Sequence, residues 1–245
     1  MGATFLALMQ AVCNEVGIPQ PSAVVSSTDQ QVRQLLALAN REGRERASDD
    51  GGWSQLRGEQ SIVMVSGQAA YDFPTDYNYY QPTTIWNRDQ RWPVNGPLTA
   101  QEWQTLKSGY INVFPFQRYR IMDGQIYFDP TPDSTYNGQT ITVEYFSKNW
   151  CQSALGVTQS QWLADTDTFL LPDDIMVLGV KWRFLAAKRM DYSEEKAAWQ
   201  ACVDRERARS FGGRTLAMNT SDTSWGNFLG DGYSQTGDGN FPGRV

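Results

Sequence analysis

The sequence contains no histidine among its 245 residues. Histidine is the usual base beside a serine or cysteine nucleophile and the commonest zinc ligand, so its absence removes Ser-His, Cys-His and His-zinc sites. The three cysteines, Cys13, Cys151 and Cys202, are far apart and form no CxxC pair. A sparse and odd set of this kind favours reduced thiols over a disulfide framework. These absences remove much of hydrolytic and metal chemistry, and they favour an assembly role with no metal and no cofactor over catalysis.

Long apolar runs are also missing, and none approaches the roughly 20 residues that a membrane span needs. The first ten residues lack the basic segment of a signal peptide, so we expect a soluble protein that is made in the cytosol and has no membrane partner. The chain carries 21 Lys+Arg and 27 Asp+Glu, a formal charge of -6, which is the wrong sign for general binding to DNA. Residues 181–214 differ, because 9 basic and 5 acidic side chains give them a local charge of +4.

Amphipathic helices are predicted near the N-terminus. Apolar residues from Phe5 to Val16 recur at three- and four-residue spacing, and Gly17 ends this helix. A capping box that begins at Thr28 opens a second helix, which the Asp49–Gly52 stretch ends. Together these two helices predict half of a small bundle.

A second pair of helices is predicted after the middle of the chain. Asp173 or Asp174 is expected to cap the first of them, and Ser193 is expected to cap the second. The inward side of the second helix is predicted to consist of Ala198, Trp199, Cys202 and Val203. This pair is the expected partner of the N-terminal pair.

The middle of the chain has the period-two alternation of strands. Ser66-Gly67 separates two alternating runs and predicts a hairpin turn, and Asp123-Gly124 gives the strongest hairpin signal in the sequence. The pattern predicts an antiparallel domain of five to eight strands. The predicted fold class is therefore α+β, a discontinuous α-helical bundle with an inserted antiparallel β-domain and an extended C-terminal arm. Its predicted parts are the first helical half at 1–58, the β-domain at 59–170, the second helical half at 171–211 and the arm at 212–245.

The predicted arm has an unusual composition, with 8 glycines among its 34 residues and large apolar side chains between them. So few apolar groups cannot offset the conformational entropy of ordering the whole segment, yet a plain linker has little use for aromatic residues. We therefore expect the arm to become ordered only on a neighbouring molecule. Its expected anchors are Trp225, Phe228, Tyr233 and Phe241.

Basic residues of the last predicted helix form the second candidate binding set. Arg205, Arg207 and Arg209, with Lys188 and Arg189 nearby, are compatible with a phosphate-binding face, an ordinary solvated helix face or an interface to an acidic partner.

Two weaker patterns suggest chemistry. The acidic residues Asp165, Asp167, Asp173 and Asp174 are close in sequence, but caps and loops explain them better than a metal site does. A carboxylate pair with aromatic residues that stack on sugar would suit a glycosidase, although the same aromatic residues also suit a β-domain core. These aromatic residues are Trp86, Trp92, Trp103 and Tyr110.

The order of motifs resembles the head-to-tail adaptor (connector or tail tubular) proteins of short-tailed bacteriophages. The resemblance covers the layout of residues 1–211. It depends on the motifs Val32–Asn40, Gly52-Trp53, Tyr71–Tyr77, Tyr119–Pro132, Val143–Tyr145 and Leu170–Asp174.

This resemblance implies a non-enzymatic virion protein at the portal vertex, assembled in the host cytoplasm. The subunit would join a ring, usually of twelve copies, between the portal protein and the tail nozzle or tail-fibre proteins. In such a ring we expect Arg205, Arg207 and Arg209 to lie at the interface with the portal or with a neighbouring subunit. DNA would pass through the ring during ejection without specific binding, which suits the acidic charge. Two alternatives stay open: a carbohydrate-binding tail component, with a β-module on a helical base, and an enzyme that uses a carboxylate pair.

Overall fold

The computed structural model describes residues 2–49, 52–81, 84–109 and 117–211. Within these residues the helices are α1 Phe5–Val16, α2 Gln30–Ala47, α3 Ala100–Lys107, α4 Asp173–Ala187 and α5 Ser193–Phe211. The strands are β1 Arg57–Val63, β2 Ala70–Asp72, β3 Tyr77–Tyr80, β4 Trp86–Asn87, β5 Trp92–Pro93, β6 Arg118–Met122, β7 Gln125–Asp129, β8 Thr140–Ser147, β9 Cys151–Gln152, β10 Thr158–Gln159 and β11 Thr168–Phe169. The α+β class is confirmed, but these eleven strands exceed the predicted five to eight.

The N-terminal helices end and begin close to the predicted residues. Gly17 closes α1 in the left-handed region (φ 77°), and its N–H donates to the Cys13 carbonyl. The prediction that Thr28 caps α2 is wrong, because Asp29 is the cap and accepts the Gln31 N–H at 2.7 Å.

The C-terminal helices also use different caps from those predicted. No side chain caps α4, since Asp173 instead accepts the N–H of Ala3 at 2.9 Å. Helix α5 already includes Ser193 as its first residue, so Ser193 is not the cap; its N–H and its hydroxyl both donate to Asp191 Oδ1, at 3.1 and 2.7 Å. Ala198 is exposed, whereas the other three residues predicted to point inward are buried.

Helices α1, α2, α4 and α5 share one core, here called the helical cluster, with four aromatic residues that lie outside them: Trp53, Trp150, Trp162 and Phe169. Phe5 of α1 stacks on Trp162 with ring centroids 4.4 Å apart, and Trp150 meets Trp162 edge-on at 5.1 Å. Gly43 of α2 lets Trp150 approach, because a Cβ at this position would lie 2.4 Å from the indole ring. The cluster therefore joins chain segments from both ends of residues 1–211.

Strand β8 organises the five-stranded sheet. Strand β8 pairs with β1 along one edge. Along its other edge it pairs with β4 in one part and with β3 in another, and β5 pairs with β4 to extend the sheet. Two smaller sheets have the orders β2-β7-β6 and β10-β9-β11. The β10-β9-β11 sheet contributes Cys151 and Phe169 to the helical cluster. A second core, here called the sheet cluster, lies among the strands of the other two sheets and consists of Ile62, Met64, Tyr71, Ile85, Val94, Tyr119, Ile126, Phe128, Ile141 and Val143.

One of the two predicted hairpins is confirmed. Asp123 (φ 52°) and Gly124 (φ 72°) connect β6 to β7 with Met122 opposite Gln125, as a type I′ turn requires. The hairpin predicted at Ser66-Gly67 is wrong, although the chain does turn there. Strand β1 pairs with β8 while β2 pairs with β7, so the turn passes the chain from one sheet to another.

Among the described residues, none of the helices has both the length and the apolar character that crossing a membrane requires.

Candidate assembly surface

A buried ionic group ties α2 to the two C-terminal helices. Glu42 of α2 accepts hydrogen bonds from Arg183 of α4 (Nε at 2.9 Å, Nη2 at 2.5 Å) and from Trp199 Nε1 of α5 at 3.0 Å. Glu42 is fully buried, and Arg183 is 5% exposed. A buried carboxylate is tolerated only when such partners surround it, so the three helices are held in one register by this contact.

The space for this contact depends on a glycine. A Cβ at Gly179 of α4 would lie 2.5 Å from the Glu42 Cδ atom. Burial raises the pKa of the Glu42 carboxyl above its ordinary value, while Arg183 and Arg46 act in the opposite direction. The Arg46 guanidinium also lies over the Trp199 ring, 4.8 Å from its centroid.

The last turns of α5 are anchored to the end of α2 by a second ionic contact. Arg207 Nη2 lies 2.8 Å from Asp49 Oδ2, and Arg46 Nη1 donates to the same oxygen at 2.6 Å. The Arg207 guanidinium also lies 5.8 Å from the centroid of the Trp53 ring. Arg207 therefore faces the helical cluster.

The other two candidate arginines of α5 have mostly exposed side chains, although Arg205 Nη2 also contacts Cys202 Sγ of the helical cluster at 3.5 Å. The Arg205 and Arg209 side chains are 53% and 67% exposed, and both contact Glu206. Four residues apart on a helix, they share one face. The structure thus brings Arg205 and Arg209 together and separates them from Arg207. The predicted arm anchors Trp225, Phe228, Tyr233 and Phe241 lie outside the described residues.

Sequence reasoning missed two exposed apolar sites. Leu155, at the turn between β9 and β10, is 92% exposed, and Val157 beside it is 62% exposed. Between α4 and α5, Met190 is 56% exposed and Tyr192 is 38% exposed. The available signal was apolar residues in short connecting segments, where polar residues are usual. Exposed apolar groups of this kind are typical of contact surfaces.

The acidic residues Asp165 and Asp167 hold nearby backbone segments in place. Both oxygens of Asp165 accept the Val24 N–H at 3.1 Å, and Oδ1 also accepts the Val25 N–H at 2.9 Å. Asp167 accepts the N–H groups of Leu163 and Ala164. Their carboxylates are thus engaged with the backbone, and within the described residues no group of three or more Cys, Asp or Glu side chains is placed to hold a metal ion.

The buried thiols have no sign of activation. Burial raises the pKa of all three cysteines, that of Cys151 to about 12, and the Cys151 Sγ contacts the Gln159 and Gln161 carbonyls. A thiol with so high a pKa stays protonated and is a poor nucleophile at neutral pH. All three cysteines are free of disulfide bonds.

The candidate sugar-stacking residues differ in how far they are exposed to solvent. Trp103 is 6% exposed and belongs to the interior, whereas Trp92 is 43% exposed. Trp86 is half-buried. Tyr110 lies outside the described residues.

The ionic contacts fix the helices on one another, while Arg205, Arg209 and several apolar side chains stay exposed. A family model described as SU10 adaptor protein matches residues 3–224, most of the chain. The chain therefore belongs to the SU10 adaptor protein family, which confirms the resemblance to phage head-to-tail adaptors. Membership implies a structural phage protein and not an enzyme. No curated protein matches the chain.

Proposed function

We propose that this chain is the subunit of a homo-oligomeric ring, of twelve copies, that joins the portal to the tail and lines the DNA exit channel. The observation that carries the proposal is the family match over residues 3–224. The net charge of -6 supports it, because DNA that must slide through a ring should not be gripped at its phosphates. In this proposal the ring is assembled in the host cytoplasm and functions in the virion during DNA ejection.

The proposed subunit has a discontinuous helical bundle (1–58 and 171–211) with an inserted β-domain (59–170). Support for this division comes from the helical cluster, whose members come mainly from both ends of residues 1–211, and from the sheet cluster, whose members span residues 62–143. The helical part would contact the portal and neighbouring subunits, and the β-domain would face the tail nozzle or tail-fibre proteins.

Helix α5 is the proposed contact element. Trp199 and Arg207 fix its inner side to α2 and the residues that follow it. The helix therefore holds Arg205 and Arg209 in defined positions on its exposed side. A positively charged face on an acidic chain suits a head-to-tail contact with the acidic surface of another subunit or of the portal.

The double reversal Arg205→Glu/Arg209→Glu tests this contact. We expect the full-length variant to fold and to lose most ring formation or portal binding, measured by co-sedimentation with purified portal protein. Arg88→Glu/Arg91→Glu makes the same charge change elsewhere and should bind like the wild type. Equal binding by both variants would refute the α5 interface.

Deletion of residues 214–245 tests the predicted arm separately. The shortened chain should remain folded, because the described residues of the helical and sheet clusters already form two apolar cores, and it should fail to attach to the portal. Attachment equal to that of the full chain would refute the assignment of Trp225, Phe228, Tyr233 and Phe241 as anchors.

A further inference from the structure

Helix α2 carries an exposed row of arginines and small residues, here called the α2 row. The row follows one side of the helix, because its members recur at three- and four-residue spacing. All of them are exposed, and they are Arg33, Ala37, Arg41, Arg44 and Ser48. Arg41 is paired with Glu45 at 2.8 Å, whereas Arg33 and Arg44 form no ion pair within the described residues. The α2 row therefore presents two uncompensated positive charges, about 16 Å apart along the helix.

Helix α5 carries a similar row of the opposite charge, here called the α5 row. Its members are also exposed and recur at the same spacing, and they are Glu194, Ala197, Ala201, Asp204 and Ala208. In the described part of the chain, neither Glu194 nor Asp204 belongs to an ion pair. These two carboxylates lie about 15 Å apart, which is nearly the spacing of the unpaired arginines of the α2 row. The alanines between them would let a second helix approach closely.

The two rows of one chain face in roughly opposite directions. Glu42 of α2 and Trp199 of α5 are joined by a hydrogen bond of 3.0 Å, so the inner sides of the two helices are turned toward each other. Arg44 follows Glu42 by two residues, which places it about 200° round the helix. The same step separates Ala201 from Trp199. The rows therefore cannot pair within one chain, but the α2 row of one copy can meet the α5 row of another.

We propose that the α2 row of one copy packs against the α5 row of the next copy, with Arg33 opposite Glu194. Arg44 then lies opposite Asp204. Such a contact is heterologous, because it joins two different surfaces of the same chain, and its repetition can close a ring. The inference rests on the proposed ring function and names the surfaces through which the subunits meet.

The direction of the helices favours this pairing over the reverse one. Trp199 contacts Glu42, and further along both segments Arg207 contacts Asp49, so α5 and α2 run in the same direction within the chain. Neighbours in a ring of twelve copies are rotated by about 30°, so α2 of one copy and α5 of the next also run in nearly the same direction. The first charged residues of the two rows then lie opposite each other, as do the last.

DNA is a second candidate occupant of the α2 row, since arginines attract phosphates. It does not account for the α5 row, which has the opposite charge and nearly the same length. A second copy of the chain accounts for both rows with one contact. Arg205 and Arg209 each follow a member of the α5 row by one residue and so lie about 100° further round the helix, which leaves them available to the portal.

Charge reversal in the full-length chain tests the pairing. Arg33→Glu/Arg44→Glu makes the α2 row acidic. Glu194→Arg/Asp204→Arg makes the α5 row basic. Each variant places like charges opposite each other, so each should weaken self-association about tenfold or more. Sedimentation velocity with and without purified portal protein measures the change, and circular dichroism checks that these surface variants are folded.

A mixture of the two reversal variants gives a sharper result. In an alternating arrangement every contact again joins opposite charges, because the reversed rows meet each other and the unchanged rows meet each other. The equimolar mixture should therefore assemble like the wild type and contain equal numbers of both variants, as measured by native mass spectrometry. The control Arg88→Glu/Arg91→Glu makes the same charge change outside the rows. It should assemble like the wild type and rescue neither reversal variant.

Cysteine cross-linking tests the direction of the pairing. Chains with Ala37→Cys and chains with Ala197→Cys are mixed and treated with a mild oxidant, and the natural cysteines do not interfere because they are buried. The proposed pairing places these two positions close together, so a covalent dimer should form. Ala201→Cys replaces Ala197→Cys in the control, and stronger cross-linking of Ala37→Cys to that position would show that the helices pair in the reverse direction.

Several results would overturn the proposal. Assembly of both reversal variants at wild-type strength would reject this interface and leave the ring in place, and so would a mixture of folded variants that does not assemble. Loss of DNA binding by Arg33→Glu/Arg44→Glu with normal assembly would assign the α2 row to DNA. A wild-type chain that never self-associates, even with the portal present, would reject the proposed ring together with this interface.

Discussion

The helical cluster and the sheet cluster treat buried polar groups differently. In the helical cluster, Glu42 is surrounded by Arg183, Arg46 and Trp199, which come from three helices. From β1 to β8, the buried polar side chains among the described residues are Asn87, Gln117 and Thr142, and none of them is charged. The comparison teaches that buried ion pairs fix the helices on one another, whereas apolar packing and uncharged hydrogen bonds hold the sheet region together. Substitutions in each part can break or sharpen this contrast.

The largest effect is expected from Arg183→Met. This change leaves Glu42 buried with fewer compensating charges, and breaking a buried ion pair costs about 3–5 kcal/mol. Urea unfolding followed by tryptophan fluorescence measures the loss. Arg88→Met removes the exposed Arg88–Glu59 pair and should cost less than about 1 kcal/mol. Similar losses for both variants would contradict the contrast.

A smaller effect is expected from Asp165→Ala. The variant removes the acceptor of the Val24 and Val25 N–H groups, and each unpaired buried group costs about 1–3 kcal/mol. Thermal unfolding by circular dichroism measures the change. Asp165→Asn keeps one acceptor oxygen and should lose less. An alanine variant as stable as the wild type would mean that this loop contributes little to the helical part.

In the sheet region, Gly124→Ala should cost about 1 kcal/mol, because a residue with a Cβ is strained at φ 72°. Urea unfolding checks this value, and Gly2→Ala serves as a control because the Cβ there would meet only ordinary contacts, the nearest at 3.4 Å. No loss in the Gly124 variant would show that the β6–β7 turn relaxes easily.

The smallest effect concerns pH. Burial raises the pKa of Glu45, but hydrogen bonds from Arg41 and Arg183 outweigh it, so the folded pKa lies below the ordinary 4.5. The stability from Glu45 is therefore full above pH 4.5 and is lost as the pH falls through the lower folded pKa. The stability difference between wild type and Glu45→Gln should shrink in that range. A stability difference that grows as the pH falls would contradict a lowered pKa of Glu45 in the folded protein.

The sequence predicted local structure better than long-range contacts. The periodicity of α1 and the Asp123-Gly124 turn are local signals, and both are confirmed. The Ser66-Gly67 turn is local as well, but pairing with distant strands decides where its flanking segments go. The Glu42–Arg183 contact joins residues 141 positions apart, so no local pattern indicates it.

The candidate surface was predicted only in part. The charge count identified the basic segment that contains α5, but Arg207 faces inward because α2 places Asp49 beside it. Residue spacing alone shows that Arg205 and Arg209 share a face. It does not show which face of the helix is covered, since that depends on how α2 and α4 pack.

Native mass spectrometry of the purified full-length chain, with and without purified portal protein, tests the central claim most directly. The account predicts a closed multi-copy particle, or one that forms on addition of the portal, with a mass equal to a whole number of subunits plus the portal. A chain that stays monomeric in both conditions and does not bind the portal would contradict it.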